Sequence, residues 1–222
     1  MTDEAVAAQE RSRLVDHFKR AYQIIVGVSI TVACSNLFPG KFISFPLDTS
    51  FWLFGAFFVT AVPIFHGGDR SLDIKYLHRR PAGFWGHAAY VWDIYMLLIT
   101  AIFFVKIAQS VPIPHDVKPP NPTAQTSPDN FYLWMGSMLV FDVCVLIFDG
   151  IKSHSLGLGG AKLSAYVTWT VINLGLGLIC LGAALCPLAT GLSEGALAAA
   201  VFAFALIRTT VDYIQGREFL FP

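Results

Sequence analysis

Among the ionisable residues in stretches otherwise apolar enough to cross a bilayer, five need explaining: Asp93, Asp142, Asp149, Arg208 and Asp212. A charge near the bilayer centre costs several kcal/mol unless it is paired or wetted, so each demands a partner, a cavity or an ion path. Asp142 and Asp149 are seven residues apart, two helical turns, and therefore share a face, with Asp142 about 10 Å deeper. Asp93 lies nine residues into its own stretch, about 13 Å deep by the same rise, so it falls at a level where it can face Asp142. Arg208 and Asp212 are four apart on one face, which allows either an intrahelical pair or a reach from Arg208 to Asp142. Two readings stay open. The five residues are buried struts that fix a bundle, or they line a polar cavity facing the cytoplasm that serves conduction or transport of an ion or small solute.

A second polar group is denser. His66, Gly67, Gly68, Asp69, Arg70, Ser71, Leu72 and Asp73 run together, followed by Lys75, His78, Arg79, Arg80 and then His87. Two adjacent glycines favour loop geometry, and Asp69 or Ser71 as a helix cap would put Asp69 and Asp73 one turn apart. In the plain reading this is a positively charged cytoplasmic loop with a capped surface helix. A chemical alternative has His66, Asp69 and Asp73, joined by Asp149 or Asp212, hold a divalent metal while Arg70 and Arg208 take a phosphate. That would suit a metal-dependent membrane enzyme acting on a lipid or phosphate substrate. Haem between His66 and His87 is a further alternative. No cofactor is assigned on these residues. The histidine clusters of membrane di-iron hydroxylases are absent, as are a P-loop, a dinucleotide fingerprint and a nucleophile elbow. Catalysis is left open, with the balance against an enzyme.

The elements that must position these residues are transmembrane helices. Of all residues 55% are hydrophobic and 14% charged, and the mean hydropathy is +0.59, so the bilayer is the solvent. A hydrocarbon core of roughly 30 Å takes about 20 helical residues. Six stretches qualify, 21–38, 50–65, 84–109, 131–150, 165–187 and 195–213. The second is short, and Pro63 should kink or break its inner end. The expected fold is an all-α, polytopic bundle of six spans.

Twelve of the fifteen Lys and Arg residues flank one end of these spans, and only Lys41, Lys106 and Lys118 flank the other. Positive charge resists translocation, so both termini are expected in the cytoplasm and the protein in the cytoplasmic (inner) membrane. Residues 1–20 then form a cytoplasmic helix leading into an uncleaved first span. Residues 21–110 hold spans one to three with a polar loop at 66–83, and 111–130 are an external linker rich in proline, including Pro119, Pro120 and Pro122. Residues 131–215 hold spans four to six, and 216–222 are a cytoplasmic tail. The two halves share no repeated motif.

Cys34, Cys144, Cys180 and Cys186 lie in apolar stretches and read as buried small hydrophobes. Small residues in the last two spans, from Gly175 to Ala184 and from Ala198 to Ala205, predict close contact between those two helices, with Asn173 hydrogen-bonding across it. Phe51, Phe54, Phe57, Phe58 and Phe65 suit a face turned to lipid or another subunit. The expected partners are the bilayer and further copies or other membrane subunits, because one small bundle encloses little space. A non-catalytic subunit of a larger membrane complex is therefore the alternative function. Zero formal net charge and no extended basic patch argue against nucleic acid.

Overall fold

The computed structural model describes residues 3–38, 47–77, 83–114, 126–156, 161–186 and 191–221. Lys41, Lys118, the tract of Pro119, Pro120 and Pro122, and His78, Arg79 and Arg80 lie outside them. The described residues are all helical or irregular: α1 (Asp3–Leu37), α2 (Thr49–Leu72) with a π-helical turn at Asp73–Leu77, α3 (Gly83–Ser110), α4 (Pro128–Leu156), α5 (Leu163–Leu185) and α6 (Glu194–Leu220). Five of these, α2 to α6, are long and apolar enough to cross a membrane; α1, which carries the expected first span in its second half, is not among them. This is a multi-pass helical membrane protein.

Helix starts follow local chemistry. The Asp48 carboxylate accepts from the Phe51 amide at 3.2 Å, and Ser193 accepts from the Ala196 amide at 3.3 Å. Ser127 accepts from the Asn130 amide at 3.1 Å, with Pro128 at the first helical position, where its missing N–H costs nothing.

Neighbouring helices close a ring in the order α1, α3, α4, α5, α6, α2, and α2 also touches α3 and α4. Lys19 of α1 meets Asp73 beyond α2, and Arg70 of α2 meets the Phe219 carbonyl of α6. The start of α1 and the end of α6 therefore lie at one end of the bundle. At the opposite end Asn36 donates to the Ala108 carbonyl at 3.1 Å. That end is an apolar core, with Leu53, Phe57, Phe104, Met135, Leu139 and Leu176 all shielded.

Several expectations change here. Pro63 does not break α2, which continues unbroken to Leu72. Proline removes one N–H, orphaning the carbonyl four residues earlier. That carbonyl, of Val59, accepts instead from the Thr209 hydroxyl of α6 at 2.6 Å, the kind of repair that lets proline persist inside a membrane helix. The expected loop at 66–83 is helical from His66 to Leu77, with 78–82 outside the described residues. Neither Asp69 nor Ser71 is a cap, since both lie inside α2. Gly68 serves packing: a Cβ there would meet the Leu97 side chain at 2.6 Å.

The small residues of α5 are used differently from expectation. α5 packs most extensively on α4, and α6 on α2. A Cβ on Gly136 would stand 2.9 Å from the Gly177 carbonyl oxygen, so these two backbones touch. Nor is the phenylalanine set of α2 an outward face. Phe57 is buried, Phe54 and Phe65 pack against the core, and Phe58 is exposed. All four cysteines are free, and only Cys180 is buried; Cys144 and Cys186 are exposed at the bundle surface.

Candidate functional site

At the end opposite the apolar core, a partly enclosed cavity of about 140 Å³ lies among α2, α3, α4, α5 and α6. It far exceeds the roughly 10–15 Å³ that one water requires. Asp93, Asp142, Asp149, Arg208 and Asp212 all line it, together with Lys75 and Asn173. Three helices, α3, α4 and α6, thus deliver these five charges to one space.

Two polar clusters make its walls. In the first, Lys75 is only 2% exposed and is the hub. Its ammonium bonds to Asp149 and stands 3.4 Å from Asp93. Lys152 pairs with Asp93 and lies 3.4 Å from Asp149. The Tyr76 hydroxyl donates to Asp93 at 2.6 Å and the Tyr166 hydroxyl to Asp149 at 3.0 Å. Two carboxylates face two ammonium groups, each with a phenol in support. This is the balanced arrangement that makes buried charge tolerable.

The second cluster is a chain across three helices. Asn173 of α5, 1% exposed, donates its amide N–H to Asp142 Oδ2 of α4 at 2.6 Å. Its amide oxygen accepts from Arg208 Nε of α6 at 2.7 Å. Arg208, 3% exposed, has its Nη1 3.9 Å from Asp212 Oδ2, and that Nη1 makes no hydrogen bond. Both pairings open to Arg208 are therefore used in part: Asp212 directly, Asp142 through an inserted amide.

No family model matches this chain, and no curated protein or solved structure matches it.

The polar run after residue 65 does not assemble into one site. Asp69 and Asp73 both pair with Lys19 of α1, at 3.0 and 2.9 Å. Arg70 donates to the Phe219 carbonyl at 3.1 Å. His66 lies against the rings of Tyr213 and Phe221. His87 is exposed near the start of α3. Among the described residues, no three His, Cys, Asp or Glu side chains are grouped so as to hold a metal. The run divides among a seam with α1, a seam with α6 and the cavity wall, to which Gly67, Gly68, Ser71 and Lys75 belong.

Sequence reading did not select Lys75, Lys152, Tyr76 or Tyr166 for the site. Lys152 stands three residues from Asp149, a spacing that signals a pair, but a lysine just past the inner end of a span is equally explained by topology. Lys75 carried no such signal, because its burial depends on the helix running through the glycine pair. Asn173 was read as a strut between helices, which it is, and it is also the link between two charges.

Proposed function

We propose that this integral membrane protein transports an ion or small polar solute, with its cavity opening to the cytoplasm. The observation that supports this reading is the convergence of Asp93, Asp142, Asp149, Lys75, Arg208 and Asp212 on one cavity backed by an apolar core. A bundle that is polar at one end and packed at the other resembles a carrier loaded from one side, not an open pore. Orientation rests on the Lys and Arg bias, which gathers at the cavity's end. Intramembrane ionisable residues lining a cavity mark substrate or ion pathways.

The residues named here come from one chain, and further copies or other membrane subunits are the partners this reading expects around it. Native mass spectrometry from the source membrane separates a homo-oligomer from a fixed assembly with other polypeptides. The second outcome would assign the function to the larger complex.

The direct test is reconstitution into liposomes, with charge movement recorded on a solid-supported membrane after jumps in H⁺, Na⁺ or K⁺. Wild type should give currents with at least one of them, and Asp142→Asn should abolish those currents while the helical circular dichroism is kept. Equal currents from Asp142→Asn, or none from wild type under any jump, would remove the reading.

A further inference from the structure

The two clusters in the cavity differ in charge balance. Around Lys75, two carboxylates meet two ammonium groups. Around Arg208, two carboxylates, Asp142 and Asp212, share one guanidinium. Asp212 stands beside that guanidinium, whereas Asp142 has no cation within salt-bridge distance and bonds only to the neutral Asn173 amide. Asp142 is the one carboxylate among the described cavity residues with no direct positive partner. Its Oδ2 is taken by Asn173, and the residue lines the cavity.

The groups around it do not supply the missing charge. From α5 there is Asn173, and from α6 Arg208 and Asp212. On α1 the Tyr22 hydroxyl is buried without a hydrogen-bond partner and carries no positive charge. Thr100 of α3 donates to the Met96 carbonyl of its own helix. Lys75, beyond α2, is committed to Asp93 and Asp149. Arg208 Nε is spent on the Asn173 amide oxygen and its Nη1 lies 3.9 Å from Asp212, so the guanidinium reaches Asp142 only through the Asn173 amide.

We propose that Asp142 is a proton-binding site: an exchangeable proton on its carboxyl group neutralises the one uncompensated charge in the cavity, and H⁺ is the ion that loads from the cavity's open side. This rests on the transport reading for its biological use, though the site itself does not. Protonation transfers H⁺ from cavity water to Asp142 Oδ1, turning a carboxylate into a carboxylic acid. Release returns the same proton to water, so charge and atoms balance. Asn173 is a positioning residue, since its amide fixes the carboxyl group and keeps Arg208 from closing onto it. An uncompensated carboxylate in a low-dielectric site favours its neutral form.

The test is infrared difference spectroscopy of the reconstituted protein during a pH titration. Wild type should show the carbonyl stretch of a protonated carboxyl group that shifts in D₂O and disappears as pH rises. Asp142→Asn should lose that titrating band, and Asp212→Asn should keep it. Should Asp142→Asn not fold, Asp142→Glu serves, because it moves the band to another frequency. A band that persists unchanged in Asp142→Asn or unshifted in Asp142→Glu overturns the assignment, as does the absence of any titrating band in folded wild type. Ion-jump currents without such a band would remove the proton site alone. A titrating band without currents would remove transport and leave the site.

Discussion

Thr209 on α6 donates its hydroxyl to the Val59 carbonyl on α2 at 2.6 Å, one turn before Pro63. The partner of that carbonyl in an uninterrupted helix would be the amide of residue 63, which proline lacks. A sequence feature that weakens one helix thus fastens it to another. Thr209→Val should destabilise the protein by about 1 kcal/mol, the usual size for interhelical hydrogen bonds in membranes. In a Pro63→Ala background the intrahelical bond returns, and the same substitution should cost much less. A double-mutant cycle of unfolding in mixed micelles measures the difference, and equal costs in both backgrounds would break the link.

Lys75 holds Asp93 and Asp149 from a position 2% exposed. Lys75→Met leaves both carboxylates with Lys152 alone, and removing one partner of a buried ionic set costs about 3–5 kcal/mol. Adding Asp149→Asn should recover part of that loss by removing the surplus charge. Thermal unfolding followed by tryptophan fluorescence reads both. A Lys75→Met protein as stable as wild type would mean that water, not Lys75, screens these carboxylates.

The contact between α4 and α5 has no room for a side chain at Gly136, where a Cβ meets Gly177 backbone oxygen and Leu181 backbone nitrogen, each at 2.9 Å. Gly136→Val should cost about 1–3 kcal/mol, the range for overpacking. Gly182 has nothing within 4 Å of its Cβ position, so Gly182→Ala should be close to neutral. Measuring both by the same thermal assay makes the second a control for glycine replacement as such.

Lys19 lies on the polar stretch before the first apolar segment and bonds to Asp73 and Asp69. Partial burial pulls its pKa down, but the hydrogen bonds and charges of Asp73 and Asp69 outweigh it and leave the ammonium above its ordinary 10.5. A cation with a raised folded-state pKa contributes stability that is fully present below the unfolded value and is lost as pH rises through the folded one. The stability this pair contributes should therefore stay constant from neutral pH up to about 10 and be lost above it. In Lys19→Gln that alkaline fall should be smaller. Thermal unfolding at increasing pH for both proteins checks it, and identical alkaline limbs would show that Lys19 contributes nothing there.

Hydropathy and residue spacing were enough to set the class, to place both ends of α3 and α5 within two residues and the starts of α4 and α6 within three, and to bring Asp93 and Asp142 to similar depth. Rise per residue is a local property, so depth can be read along one chain. Rotation about the helix axis and the order of neighbours cannot. A helix in lipid is apolar on nearly every side, and no stripe declares which face turns inward. Lys75, counted by sequence as a topological charge, is drawn to the centre because α2 continues through Gly67 and Gly68 against Leu97. Gly177, expected to meet α6, meets Gly136 instead. Pro63 looked like an end to α2 because the donor that repairs it, Thr209, lies 150 residues away in sequence from the carbonyl it serves. Composition and spacing determined that charges would gather at one end of a membrane bundle. Only tertiary packing decided which of them are paired, and that Asp142 has an amide where a cation would balance it.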